Sequence, residues 1–397
     1  MLLLMIVFSA YAIFQDSGQV PAWPSDQAFV ENANLSIGRK AGHWYWHYPS
    51  LQYSGGITSS IVAGLYKLVI PTSRSDLNWH LRIFAMAGYM VSAAALIHTL
   101  IRNHGARLLG FLLIGTSGFQ FIQPSSEIIA GVFLTTFVIA VCRAWPTPVA
   151  ALLLVGFALS KVECVLAALL IAIAWWWQMR SRNGGASGTW IPLWTLFWFL
   201  IFLLPSFLVV GADVLSGNRS MNAFTQHYVH LLYPHQFLPL PDGLDLEYPK
   251  GAEILFPKAG NVLQLIINYP RRYVDFLSLS FVESLIGVLA SFKLLLIPLG
   301  VVALRPKPWQ DQRLPIVILA IAAVFTILPA WLFAFVHLRY LTRLFPLLVV
   351  IAIAGSLAIL KTGRSRLLLI WLPAWLTVVI QLFRINTIWV NAMHGAN

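Results

Sequence analysis

Apolar positions in this chain come in long blocks separated by short polar breaks, with no strand-like alternation. Blocks of roughly 15 to 25 residues recur from end to end, close to the length at which a helix crosses the hydrocarbon core of a bilayer. Backbone groups inside lipid must be satisfied internally, which leaves helices or closed barrels, and barrel strands are shorter and alternate in polarity. The pattern predicts spans at 1–15, 78–101, 107–122, 125–142, 146–160, 163–178 and 190–211. After a polar interval it predicts four more, at 279–304, 313–335, 338–360 and 365–385. The expected fold class is an all-α polytopic bundle of about 11 transmembrane helices, one domain over 1–397. The first block, MLLLMIVFSAYAIF, carries no basic flank and no small-residue cleavage site, so it reads as a membrane helix and not as a removed signal.

Two long polar intervals interrupt the blocks, at 16–77 and 212–278. Both are rich in Pro, Gly and aromatics, and stretches at 25–37, 57–69 and 262–277 read as helices lying at the membrane interface. The segment ITSSIVAGLYKLVI is too short to span and is bounded by Gly56 and Pro71, which suits an interfacial or re-entrant helix.

Composition reinforces the pattern. Apolar residues make up 59% and charged residues 10%, where a soluble domain carries about a quarter charged. The net charge of +12 does not point to nucleic acid, because the bases are scattered over short connections. With a cytoplasmic N-terminus, the inner connections hold Arg102 and Arg107, Arg143, Arg180 and Arg182, then Arg305, Lys307 and Arg313, then Lys361, Arg364 and Arg366. That is the positive-inside distribution of a multi-pass inner (cytoplasmic) membrane protein. The two long loops then face outward, and most of the 14 acidic residues lie in them. Cys142 and Cys164 read as small core residues, neither a disulfide nor a metal pair.

Candidate chemistry gathers on that outer side. Asp26 follows Pro24 and Ser25; it suits either a first-turn helix acid capped by Ser25 or a general base at the membrane surface. Glu31 lies five residues on, about 140° round a helix, so the two acids do not share a face. Arg339 and Arg343 are spaced i,i+4 at the outer start of a span, and Lys161 and Glu163 occupy an outer turn. Charges so near hydrocarbon are functional candidates by default; these cations suit either side chains that snorkel to the interface or ligands of a phosphate. Glu127 opens a span and suits a dipole-favoured first-turn acid. His43 and His47, also i,i+4, could hold a divalent cation, but no acid or thiol stands at matching spacing, and HWYWHYP suits an aromatic interfacial belt. Glu31, His43 and His47 in the first loop and His227 and Tyr228 in the second are weaker candidates for substrate contact.

Several segments, in order, resemble the GT-C membrane glycosyltransferases that use polyprenyl-phosphate sugars, such as protein O-mannosyltransferases and lipid A aminoarabinose transferases. SDQAFVENA resembles that family's first-loop acid motif, although Gln27 stands where an adjacent acid would complete a pair. HYPSLQYSGGITSSIVAGLYKLVI is similar to its Pro-rich segment and juxtamembrane helix, and WHLRIFAMAGYMVSAAALIHTLIR to its next span. GFALSKVECVLAALL resembles the Lys-bearing turn, here with an acid after the Lys. NYPRRYVDFLSL and HLRYLTRLFPLLVVIAIAGSLAIL are similar to the later interfacial segment and the Arg-bearing helix.

The resemblance implies a donor sugar carried on a polyprenyl phosphate, reaching the site from the outer leaflet. It implies Asp26 as the base that takes the acceptor hydroxyl proton, direct attack at the anomeric carbon with inversion, and Arg339, Arg343 and Lys161 holding the departing lipid phosphate. No nucleotide is implied, in keeping with the lack of a Gly-rich phosphate loop. Two rival readings remain at this stage: a transporter or flippase of lipid-linked glycans, and an O-antigen ligase or polymerase.

Overall fold

The computed structural model describes residues 37–40, 43–46, 74–117, 126–182, 190–210, 219–232, 255–304, 313–333, 338–360 and 371–383, together with 57–58, 61–62 and 65. The expected first span at 1–15, Asp26, Glu31 and His47 lie outside these residues.

Among the described residues the fold is all-α apart from one hairpin in the first loop. There Ile37–Lys40 (β1) pairs antiparallel with His43–Trp46 (β2), Ile37 opposite Trp46 and Lys40 opposite His43. The interfacial helix expected over 25–37 therefore does not reach its last residue, and HWYW is a strand. Its aromatic residues favour an extended chain.

The helices in order are α1 (Arg74–Leu100), α2 (His104–Ser117), α3 (Ser126–Cys142), α4 (Thr147–Ala158), α5 (Val162–Arg182) and α6 (Trp190–Val210). There follow α7 (Arg219–Leu232), α8 (Val262–Asn268), α9 (Pro270–Phe292), α10 (Leu296–Leu304), α11 (Arg313–Phe333), α12 (Leu338–Thr342), α13 (Phe345–Leu360) and α14 (Trp371–Phe383). Helices stand at most of the expected positions, within a few residues of the predicted bounds.

Three expectations need correction. The helix expected at 279–304 begins at Pro270, and it breaks at Lys293, whose φ of 45° and ψ of −129° no helix accommodates. The pieces on either side of the break lie 94° apart. The interfacial helix expected at 262–277 is correspondingly two elements, because Pro270 cannot donate into α8 and instead opens α9. The span expected at 338–360 is interrupted by a turn at Arg343 and Leu344. Arg339 lies on α12 and Arg343 in that turn, so the i,i+4 face expected to stack them does not exist as one continuous helix.

Length also matters. Glu163–Ser181 is long and apolar enough to cross a membrane alone, and the bent pair Pro270–Leu289 with Lys293–Gly300 passes together. The other apolar helices are shorter, such as Glu127–Cys142 and Phe345–Leu357. A 16-residue helix is about 24 Å long, short of a roughly 30 Å core.

Local chemistry explains the ends. Asn261 caps α8 by accepting the Gln264 amide at 2.9 Å, while the Gln264 side chain accepts the amide of Gly260, the residue before the cap, at 2.8 Å. Asn103 accepts the Ala106 amide at 3.0 Å to start α2. α3 ends with the Trp145 amide on the Ala140 carbonyl at 2.9 Å and the Ala144 amide on the Val141 carbonyl at 3.3 Å. Pro146 and Pro148 then open α4.

One main core fills the interior, from Met86, Tyr89 and Leu96 of α1 through Phe137 and Leu134 of α3 to Phe345 and Val349 of α13. α5 lies along α11, α1 along α3, and α4 between α3 and α6. A second, mainly aromatic core joins α7, residues 255–260, α8 and α9 around Phe224, Tyr228, Phe256 and Phe276. It is tied to the end of α11 where the Tyr273 hydroxyl donates to the Leu332 carbonyl at 3.2 Å.

Candidate functional site

Four charged side chains meet where α3 begins, α4 turns into α5, and α12 gives way to α13. Glu127 is the second residue of α3, Lys161 precedes α5, Glu163 is in the first turn of α5, and Arg343 sits in the α12–α13 break. Glu127 is fully buried, and its two oxygens divide between the cations: Oε1 bonds Lys161 Nζ, and Oε2 lies 3.4 Å from an Arg343 terminal nitrogen. Glu163 stands further off, 4.0 Å from Lys161 and 3.8 Å from Arg343.

Arg343 is the largest of the fully buried side chains. Besides the acids it donates to the Thr326 carbonyl of α11 at 3.3 Å and meets the Cys164 sulfur at 3.2 Å. Its Nε has no hydrogen-bond partner among the described residues. Lys161 Nζ also sits 5.1 Å from the centre of the Tyr340 ring, within cation–π range. Two positive and two negative charges make the cluster neutral, which is what an apolar interior demands of buried ions.

The neighbourhood of the cluster is set by close backbone approaches. The Tyr89 hydroxyl donates to the Thr342 carbonyl at 2.8 Å. Gly131 of α3 faces the Arg343 backbone closely enough that a Cβ there would lie 3.0 Å from the Arg343 Cα. Ser160 donates to the Gly156 carbonyl at 2.8 Å, which closes α4 just before Lys161. The first loop touches the same turn: Thr58 donates its hydroxyl to the Gly156 carbonyl at 2.7 Å and its amide to the Leu159 carbonyl at 3.2 Å. Ile57 is buried against Val155 and Leu159. A segment of the first long loop therefore reaches the same end of the bundle as the ions.

Of the expected site residues, the structure brings Lys161 and Arg343 together through a shared carboxylate. Glu127, expected as a first-turn acid, is in the first turn, and its carboxylate serves the two cations. The signal for that role was available: an acid inside an apolar block needs a cation. Arg339 lies on α12. His43 is in β2, opposite Lys40. His227 is half-buried on α7. Tyr228 is buried, stacked on Phe224 at 5.7 Å and edge-on to Phe256 at 5.2 Å, so its ring belongs to the aromatic core. Cys164 is buried as expected, whereas Cys142 at the end of α3 is exposed. Among the described residues no group of three or more His, Cys, Asp or Glu could hold a metal ion.

What the arrangement can do chemically follows from its composition. Two cations at one point could bind an anion, and their present counter-ions are carboxylates of the chain itself. Comparison of the chain with known protein families, with curated proteins and with solved structures finds no match.

Proposed function

We propose that the chain is a membrane-embedded GT-C-type glycosyltransferase that moves a sugar from a polyprenyl-phosphate carrier to an acceptor hydroxyl on the outer face of the membrane. The observation that carries this reading is the meeting of Lys161 and Arg343, 182 positions apart in sequence by their numbers, on the Glu127 carboxylate. These are two of the three cations that the ordered motifs assign to the lipid phosphate. Contact of the 57–58 segment with the Lys161 turn supports a site roofed by the first loop, the loop that carries Asp26.

A bilayer setting is supported by the apolar side chains that face outward at helical spacing. Leu193, Leu196, Phe197, Leu200 and Leu204 on α6 and Phe281, Val282, Leu285 and Leu289 on α9 are exposed. Contiguous apolar surface of this kind is costly in water and suits lipid. On this reading the shorter apolar helices are spans that use flanking residues and local thinning to match the bilayer. Arg143 donates to Thr99 at 3.1 Å, which joins the ends of α1 and α3; the reading assigns these basic ends to the inner side.

The mechanism proposed for the site is proton removal from the acceptor by Asp26 and stabilisation of the departing phosphate by Lys161 and Arg343, with Arg339 assisting. Protein reconstituted in nanodiscs with a radiolabelled polyprenyl-phosphate sugar tests it. Transfer to an acceptor or slow release of the sugar is expected, and Asp26→Asn should remove it while the protein stays folded. Wild-type protein that leaves the donor intact under all acceptor conditions would overturn the enzyme reading. The complete burial of Arg343 favours, as a second reading, a transporter that moves lipid-linked glycans through a charge-lined path; transbilayer movement of the donor in liposomes without transfer would select it.

A further inference from the structure

Glu163 differs from the other three ions. The Glu127 side chain has no exposure and Arg343 none, whereas the Glu163 side chain keeps 14%. Its distances of 4.0 and 3.8 Å to the two cations are beyond hydrogen-bond range. Glu127 alone therefore makes the tight contacts, and Glu163 supplies charge balance from the rim. It lies in the first turn of α5, so rotating its side chain outward disturbs no helical bond.

With Glu163 turned out, the cluster keeps two cations and one anion, a net charge of +1. The position vacated by the Glu163 oxygen lies 4.0 Å from Lys161 Nζ and 3.8 Å from an Arg343 terminal nitrogen, and Arg343 Nε remains a buried donor without a partner among the described residues. Those are the requirements of an oxyanion site: two converging positive groups, a free donor and a missing negative charge.

We infer that Glu163 is a displaceable internal anion, whose carboxylate holds the place of a phosphate oxygen between Lys161 and Arg343. A phosphate monoester binds there by turning Glu163 out. The inference rests on the proposed reading of the two cations as phosphate ligands. It adds that the chain regulates its own affinity, because only the fraction of molecules with Glu163 displaced can bind. No bond forms or breaks in this step, and the residue's role is to set affinity.

Equilibrium binding to the full chain in zwitterionic nanodiscs tests this, with geranylgeranyl phosphate as the lipid monoester and inorganic phosphate as the free one. Glu163→Gln should bind geranylgeranyl phosphate about tenfold more tightly than wild type, as expected where the competent state is about a tenth populated. Glu163→Asp, with a shorter reach, should fall between them. Adding Lys161→Met to Glu163→Gln should cancel the gain. The same ranking with inorganic phosphate identifies the free ion as sufficient; ranking only with the lipid identifies a headgroup site. Equal or weaker binding by Glu163→Gln with both probes overturns the inference, and Glu163→Asp carries the same comparison if the Gln variant does not fold. Because binding is read without turnover, failure here is distinct from failure to transfer sugar.

Discussion

The Tyr89 hydroxyl donates to the Thr342 carbonyl at 2.8 Å, a contact across 253 positions that ties the middle of α1 to the residue before Arg343. The carbonyl it meets closes α12, where helical partners run out. Tyr89 is buried, with a relative exposure of 1%, so Tyr89→Phe keeps the packing and removes the donor. A loss of about 1 kcal/mol is expected, together with weaker use of a phosphate-bearing donor because the Arg343 turn is less well held. Thermal unfolding in nanodiscs and donor KM read the two effects. An unchanged KM alongside lower stability would limit Tyr89 to a structural role.

Two glycines on neighbouring helices make a matched pair. A Cβ at Gly131 would lie 3.0 Å from the Arg343 Cα and 3.1 Å from the Tyr89 ring, while one at Gly88 would meet nothing closer than a Val132 methyl at 3.8 Å. Gly131→Ala must push the Arg343 backbone away, and overpacking of this kind costs about 1–3 kcal/mol. Gly88→Ala should be neutral or stabilising by up to about 1 kcal/mol through the helix preference of Ala. Side-by-side melting curves of the two variants check the contrast, and equal effects would argue against the close approach.

Much of this architecture was legible in the apolar pattern. α3, α4 and α6 lie within two residues of their expected bounds, because apolar blocks bounded by Pro124 and Arg143, by Pro146 and Lys161, and by Gly188 and Gly211 leave little choice of ends. The break at Lys293 was not legible: no Gly or Pro marks it, and a Lys at positive φ is a tertiary outcome. The break at Arg343 did carry a signal, Pro346, which is the second residue of α13 and can open a helix but not continue one; reading HLRYLTRLFP as one continuous helical face passed over it. The site was half legible. Lys161 and Arg343 stood out as cations beside hydrocarbon, but their convergence on Glu127 depends on which helix ends are neighbours, and that is fixed by packing among α3, α5 and α13. The hairpin at 37–46 was missed because two four-residue strands leave too short a periodic signal.

The turn after α3 carries a second residue at positive φ, Ala144 at 50°. The amides of Ala144 and Trp145 close the helix on the Val141 and Ala140 carbonyls, the arrangement in which Gly is the usual residue at the left-handed position. An L residue there crowds its Cβ against the following carbonyl at a cost of roughly 1–2 kcal/mol. Ala144→Gly should therefore raise stability by up to about 1 kcal/mol after the added freedom of the unfolded glycine is counted. Binding and transfer should not change, because the turn is at the opposite end of α3 from Glu127. A lower unfolding temperature in the Gly variant would contradict the assignment.

Glu127 is the anion on which the cluster depends. Removing its charge leaves Lys161 and Arg343 facing each other with only the distant Glu163 for balance, and breaking a buried ion pair from one side costs about 3–5 kcal/mol. Glu127→Gln should therefore be among the most destabilising changes that preserve side-chain volume. The rescue is charge arithmetic: Glu127→Gln with Lys161→Met leaves Arg343 and Glu163, again neutral, so the double variant should recover a substantial part of the loss. A double-mutant cycle on unfolding in nanodiscs measures this coupling, which should be at least about 1 kcal/mol for directly bonded residues. The double variant should still fail to bind a phosphate monoester tightly, since one of its two cations is gone. Simple additivity of the two single changes would mean that the Glu127–Lys161 pair does not hold the helix ends together, and the site would lose its anchor.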